Sequence, residues 1–155
     1  MFAKAFCLEP LIHGAGHESG RRAGTENILL DVALGAACEL AQSWLGVESI
    51  RQLRDLLWKV LQAQFGERVV LNGHPTERLP NTLNVSFVGK IGSTILGGLK
   101  DVAASTGSAC HSGSVELSPV LKAMQVPAEI GMGAIRFSLG RTTTREEIEQ
   151  VVSRL

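Results

Sequence analysis

The sequence predicts an α+β fold, a small sheet flanked by helices, because two kinds of pattern follow one another along the chain. In the first part, apolar residues recur at the 3.6-residue spacing of helices, up to a stop signal at Gly66. Beyond it, strand-like segments such as NTLNVSFVG alternate with short helical segments, and a last amphipathic helix follows. At 155 residues the chain can bury one core, so a single domain is the first expectation.

Two helices are predicted in the first part of the chain. The first begins at Thr25 or Asn27, and its apolar stripe includes Cys38, which is therefore predicted to be buried and unreactive. The second extends from about Val47 to Gly66. Its apolar face is predicted to consist of Ile50, Leu53, Leu57, Val60 and Leu61. The glycine-rich stretch 14–24 would normally face other structure, so this end is expected to come from a larger fold.

The second part of the chain predicts a sheet. RVVLNG, NTLNVSFVG and GAIRFSLG have strand character, and a short strand over DVAAS leads into a loop of glycine and serine. GSTILGGLK and SPVLKAM are predicted short helices, the latter with Ser118 as N-cap and Pro119 as first residue. Thr143 and Glu146 have capping-box spacing, so the last helix is predicted to begin there.

Composition and charge argue against several classes of protein. Lysine plus arginine balances aspartate plus glutamate at 15 each, which argues against nucleic-acid binding. No apolar run reaches the roughly 18 residues of a membrane helix, so no membrane span is predicted. The 3 cysteines are widely spaced and form no disulfide framework, and the cysteines and histidines lack metal-ligand spacing. We therefore expect a cytoplasmic protein without a metal site.

Three residues are candidates for a functional site, and each has an ordinary structural alternative. Cys110 lies in STGSACHSG, where glycine and serine let a thiol approach a substrate, although an incidental loop cysteine would look the same. Arg136, between Ile135 and Phe137, would be costly to bury unless it bound an anion such as a carboxylate or formed an interior ion pair. Thr25, in the turn GTEN, offers a phosphate its hydroxyl and nearby N–H groups, or simply caps the helix.

Five segments together carry a resemblance that none carries alone: LIHGAGHESGRRAGTEN, LPNTLNVSF, STGSACHSG, SPVLKAM and IRFSLGRTTTREEIE. In order and spacing they resemble landmarks of the cysteine desulfurases and selenocysteine lyases. These are pyridoxal-phosphate (PLP) enzymes of the class V aminotransferase group. The resemblance covers nearly the whole chain and implies the C-terminal small domain of a fold-type I PLP-dependent transferase. It assigns residues 1–30 to the edge of the large PLP domain and the subunit interface, and residues 31–155 to the small domain.

The resemblance also implies a role for each candidate. Cys110 matches the loop nucleophile that takes the sulfur of L-cysteine as a persulfide and leaves L-alanine. Selenocysteine lyases instead release selenium from L-selenocysteine. Arg136 matches the residue that grips the substrate carboxylate, and Thr25 matches the residue that reaches the cofactor phosphate of the neighbouring subunit in a homodimer. A sulfur or selenium acceptor protein is a further implied partner.

One departure from the family pattern concerns the cofactor. The family's PLP-binding lysine, and the aspartate and histidine that contact the cofactor ring, lie upstream of the part matched here. The lysines of this chain stand in none of those contexts: Lys4, Lys59, Lys90, Lys100 and Lys122. The chain is therefore expected to be inactive alone. The alternative to an enzyme portion is a truncated, non-catalytic module that binds or dimerises with a full-length subunit.

Overall fold

The computed structural model describes residues 9–43, 47–106 and 116–155. By their contacts the residues form two compact units, Met1–Leu45 and Gly46–Leu155. The domain boundary that the resemblance suggests after residue 30 would fall inside a helix of the first unit, Ile28–Ser43. That boundary stays a prediction about the domains of the larger family fold.

The first unit consists of a loop followed by one long helix. Helix α1, His17–Gly20, is a single distorted turn, because Glu18 and Ser19 have positive φ angles of 51° and 60°. Helix α2, Ile28–Ser43, confirms the first predicted helix. Asn27 caps it, since its Oδ1 accepts a hydrogen bond from the N–H of Leu30 at 3.3 Å.

The apolar side chains of α2 are exposed. Leu29 is 84% exposed and Leu34 is 65% exposed. Cys38 is exposed as well, so the prediction that it lies in the core is wrong. The period of a helical stripe shows which positions are apolar, but it does not show whether another surface covers them.

In the described parts of the chain, no single helix is long and apolar enough to cross a membrane. Within the same parts, the consecutive segments Ile28–Gln42 and Val47–Arg68 reach that length and composition only when they are taken together.

The second unit contains a three-stranded antiparallel sheet, which confirms the predicted α+β class. Its strands, in spatial order, are β1 (Val69–Leu71), β2 (Thr82–Phe87) and β3 (Ala134–Ser138). The central strand pairs Val85 with Leu71 on one side and with Ile135 on the other. The elements of this unit, in chain order, are α3 (Val47–Phe65), β1 (Val69–Leu71), β2 (Thr82–Phe87), α4 (Gly92–Gly98), α5 (Pro119–Ala123), α6 (Ala128–Gly131), β3 (Ala134–Ser138) and α7 (Arg145–Arg154).

The apolar core of this unit joins one face of the sheet to α3 and α7. On the sheet, Val85 and Ile135 are fully buried, and on α3 so is Leu61. Each such side chain contributes about 1.5–3 kcal/mol by leaving water. The buried members of the core are Ile50, Leu57, Leu61, Val69, Leu83, Val85, Phe87, Ile135, Phe137, Leu139, Ile148 and Val152.

The last helix begins one residue later than predicted. The hydroxyl of Thr144 accepts a hydrogen bond from the N–H of Glu147 at 3.2 Å, and the Glu147 carboxylate accepts one from the N–H of Thr144 at 2.9 Å. The hydroxyl of Thr143 instead accepts a hydrogen bond from the N–H of Gly140 at 2.9 Å. Thr143 therefore closes the turn after β3, and the predicted capping box of Thr143 and Glu146 is wrong by one residue.

Candidate functional site

Arg136 lies on the face of the sheet opposite to the core. Its strand neighbours Ile135 and Phe137 are buried, whereas Arg136 is exposed. The argument from the cost of burying its charge therefore does not apply. Among the described residues no carboxylate forms an ion pair with its guanidinium group, because the arginine ion pairs found there involve other positions. The interior ion-pair alternative is thus not observed in this part of the chain.

Ser105 connects the strand of Arg136 to the segment that leads toward Cys110. Its N–H donates to the carbonyl oxygen of Arg136 at 3.1 Å, and its carbonyl oxygen accepts from the N–H of Arg136 at 2.6 Å. This is an isolated bridge, so the strand predicted over DVAAS is reduced to one paired residue. Cys110 itself, the predicted nucleophile, lies outside the described residues, and its role stays a prediction.

Two asparagines share the polar face of the sheet with Arg136. Asn84 is the cross-strand partner of Arg136. Asn72, which follows β1, donates from its Nδ2 to Oδ1 of Asn84 and to Oγ of Ser86, both at 2.8 Å. Asn72, Asn84, Arg136 and Ser105 thus lie side by side on adjacent segments, and we call these four residues the polar row. The alternation of Asn84 and Ser86 with apolar residues predicts a polar face here, but neither asparagine is a candidate from the sequence alone.

Thr25 lies in a loop of the first unit that side-chain contacts hold together. Nδ1 of His17 lies 3.2 Å from each carboxylate oxygen of Glu26, the residue after Thr25. The guanidinium group of Arg22 donates to the carboxylate of Glu18 at 2.8 and 3.0 Å. A backbone hydrogen bond lowers the pKa of the Glu26 carboxyl group, and the hydrogen bond with His17 lowers it further.

The hydroxyl and N–H groups of Thr25 have no hydrogen-bond partner among the described residues. Asn27, and not Thr25, caps α2, so the reading of Thr25 as a plain N-cap is not observed. An exposed hydroxyl and a free N–H beside the start of a long helix fit a phosphate group.

Other groups that could hold a cofactor or a metal are few in the described ranges. Lys59, Lys90, Lys100 and Lys122 are all exposed, so none of them is a buried amine poised to bind a carbonyl group. Within the same ranges, no three histidine, cysteine, aspartate or glutamate side chains cluster where they could hold a metal ion.

A cleft of about 370 Å³ separates residues 101–103 from β3 and α7. Its lining includes the core residues Leu57, Phe137 and Ile148, so it opens on the core side of the sheet. Arg136 does not line it. Because none of the four residues of the polar row lines it, the cleft is separate from that row.

Comparison with known proteins gives consistent matches over nearly the whole chain. The family model described as aminotransferase class-V matches residues 8–151. The chain is 46% identical over 148 residues to a protein named cysteine desulfurase IscS from Acinetobacter baumannii (strain AYE), covering 94% of this chain and 36% of that protein. It is 49% identical over 148 residues to cysteine desulfurase 2 from Trichormus variabilis, covering 94% of this chain and 37% of that protein.

Two solved structures resemble the fold. A NifS-like protein matches with a TM-score of 0.83 and 33% identity, covering 97% of this chain and 39% of that protein. A NifS-like protein from Rickettsia africae matches with a TM-score of 0.81 and 28% identity, covering 96% of this chain and 39% of that protein. The chain therefore spans somewhat more than a third of the length of the proteins that it matches.

Proposed function

Because the chain belongs to the aminotransferase class-V family, we propose that it is the C-terminal part of a PLP-dependent cysteine desulfurase or selenocysteine lyase. The enzyme would remove sulfur from L-cysteine, or selenium from L-selenocysteine, and leave L-alanine. The names of two relatives at 46% and 49% identity support the desulfurase. Since the chain spans 36–37% of those relatives, the activity is proposed for an enzyme that includes this chain.

The exposed guanidinium group of Arg136 is the observation that carries this proposal. It has no carboxylate partner among the described residues, and it stands on the polar face of the sheet. A planar guanidinium group binds a carboxylate through two parallel hydrogen bonds, which fixes both the position and the orientation of an amino-acid substrate. Arg136 would therefore hold the α-carboxylate group of L-cysteine.

Thr25 would hold the phosphate group of PLP through its hydroxyl and N–H groups, in the neighbouring subunit of a homodimer. When bound, PLP supplies the electron sink that makes the bond between the substrate β-carbon and its sulfur labile. The PLP-binding lysine would come from the large domain of the family fold, since the lysines described here are exposed.

Cys110 would perform the sulfur transfer. Its thiolate forms a sulfur–sulfur bond with the substrate sulfur while the carbon–sulfur bond breaks, and the electron pair of that bond stays with the β-carbon. A proton added at that carbon completes L-alanine, and Cys110 is left as a persulfide. An acceptor protein would then take the sulfur from Cys110.

The test is a substitution of Arg136 in the chain joined to a lysine-bearing cofactor domain, such as that of the Acinetobacter relative. Arg136→Ala should raise KM for L-cysteine and reduce kcat/KM, without changing PLP binding. The reduction should correspond to a loss of roughly 2–5 kcal/mol of binding free energy. Arg141→Ala is the matched control, because Arg141 is an exposed arginine just beyond the same strand. Unchanged kinetics in Arg136→Ala would remove Arg136 from the substrate site.

A non-catalytic module that pairs with a full-length subunit is the second candidate. The exposed apolar side chains of α2, such as Leu29 and Leu34, favour it because another subunit could cover them. The 155-residue chain mixed with PLP and L-cysteine should then form no L-alanine, and it should co-purify with a full-length relative. Formation of L-alanine by the chain alone would contradict this candidate.

A further inference from the structure

Asn84 and Arg136 are direct neighbours on two antiparallel strands. The backbone N–H and C=O groups of Arg136 both bond to Ser105, so they point away from β2. The two residues therefore form a non-hydrogen-bonded pair, in which Cα atoms are about 4.5 Å apart and the side chains stand close together on one face.

The side-chain amide of Asn84 has a defined orientation. Its Oδ1 accepts a hydrogen bond from Nδ2 of Asn72 at 2.8 Å, and Nδ2 of Asn72 is held in turn by Oγ of the buried Ser86. Asn72 lies on the β1 side of Asn84, and Arg136 lies on the β3 side. Because the oxygen and nitrogen occupy opposite corners of the planar amide, Nδ2 of Asn84 is left on the side away from Asn72.

We propose that Asn84 is a second substrate-binding residue, whose Nδ2 donates a hydrogen bond to the carboxylate group that Arg136 binds. Nδ2 of Asn84 has no hydrogen-bond acceptor among the described residues, and Asn84 is only half-buried. A carboxylate has more lone pairs than one guanidinium group uses, so the two donors can serve the same ligand. This inference rests on the proposed amino-acid substrate of the Arg136 site.

Asn84 could also have a purely structural role, as the acceptor for Asn72. The variant Asn84→Asp tests the donor, because a carboxylate keeps the acceptor for Asn72 and removes the N–H donor. The negative charge that it adds beside Arg136 also weakens carboxylate binding, so binding that survives in this variant excludes the donor role. The Nδ2 signal of the unsubstituted chain distinguishes a donor from a purely structural residue, because only a donor to the ligand should shift on binding.

The experiment is a titration of the nitrogen-15-labelled 155-residue chain, followed by nuclear magnetic resonance. The ligand is L-alanine, the expected product, and L-alaninamide is the matched ligand without a carboxylate group. L-Alanine should shift the Nδ2 signal of Asn84 and the Nε signal of Arg136, and L-alaninamide should shift neither. Asn84→Ala should weaken L-alanine binding about five- to tenfold. Asn81→Ala should leave binding unchanged, because its Nδ2 donates to the backbone of Leu139.

Each outcome supports or contradicts the inference. Shifts at Arg136 without a shift at Asn84, or unchanged binding in Asn84→Asp, would overturn the role of Asn84 and leave the proposed function standing. Shifts at neither residue would overturn the shared carboxylate site of Asn84 and Arg136, and the kinetics of Arg136→Ala in the joined enzyme decide the proposed function separately. If Asn84→Ala alters the backbone spectrum, the Nδ2 signal of the unsubstituted chain decides the question.

Discussion

Nδ1 of His17 lies 3.2 Å from both carboxylate oxygens of Glu26, and this contact closes the loop that carries Thr25. The N–H of Ala23 donates to the carbonyl oxygen of Ile12 at 3.1 Å and closes the same loop a second time. Since Thr25 lies between Ala23 and Glu26, the two contacts together limit where its hydroxyl group can be.

Glu26→Gln should loosen this loop at neutral pH. The pKa of the Glu26 carboxyl group is lowered in the folded chain, first by a backbone hydrogen bond and then by His17. A group with a lowered folded-state pKa stabilises the fold above its unfolded-state pKa, and that contribution is lost as the pH falls through the folded-state value. In the unsubstituted chain the loop should therefore open more readily as the pH falls through the folded-state pKa of Glu26, and in Glu26→Gln this pH dependence should disappear.

Hydrogen exchange at the N–H of Ala23, corrected for the intrinsic rate, measures this opening. Glu9→Gln is the control, because Glu9 is an exposed glutamate outside the loop. Equal protection of Ala23 in the unsubstituted chain and in Glu26→Gln at neutral pH would show that the His17 contact does not hold the loop.

Gly133 should tolerate no side chain. A Cβ atom at Gly133 would lie 2.0 Å from the carbonyl oxygen of Phe87, while the N–H of Phe87 donates to the carbonyl oxygen of Gly133 at 3.0 Å. Gly133→Ala must displace the end of β2, so we expect the free energy of unfolding to fall by about 1–3 kcal/mol. A Cβ atom at Gly97 in α4 would meet nothing within 4 Å. Gly97→Ala should leave the free energy of unfolding unchanged or raise it by up to ~1 kcal/mol. If urea unfolding shows the same loss of stability in Gly133→Ala and Gly97→Ala, the predicted clash at Gly133 is contradicted.

Local patterns in the sequence predicted much of the second unit. The alternation of Leu83 and Val85 with polar residues predicted both β2 and its buried face, because side-chain direction in a strand alternates at every residue. The leucines of α3 predicted its buried stripe for the corresponding reason, and Leu57 and Leu61 are in the core. These features depend on neighbours within one element, which a single sequence contains.

Features that depend on distant contacts were not predictable in this way. The hydrogen bond from Asn72 to Asn84 joins residues that only the register of β1 and β2 brings together. Arg136 was predicted to be at risk of burial from its apolar neighbours, but the strand turns it to the opposite, exposed face. The exposure of Cys38 likewise depends on what surrounds α2. The spacing of the apolar residues along α2 does not show whether another surface covers them.

Cys38 should react with iodoacetamide in the native chain. Its exposure on α2 removes the steric protection that a core position would give. When the native chain reacts briefly with iodoacetamide, mass mapping should find Cys38 modified at a rate close to its rate in urea. In Cys38→Ser the signal of the modified peptide should be absent. Protection of Cys38 that disappears only in urea would show that its face of α2 is covered in solution. Cys110 is expected to react as well, from its place in the glycine–serine loop.

Thr144→Ala should destabilise the chain more than Thr143→Ala. The hydroxyl of Thr144 accepts a hydrogen bond from the N–H of Glu147, and Thr144 is the N-cap of α7. Loss of such a cap costs about 0.5–2 kcal/mol of stability. The hydroxyl of Thr143 accepts one hydrogen bond from Gly140 in an exposed turn, so its loss should cost less. Because α7 contributes Ile148 and Val152 to the core, fraying at its start should lower the urea midpoint of the second unit. A larger loss in Thr143→Ala than in Thr144→Ala would place the cap one residue earlier, where the sequence pattern alone had predicted it.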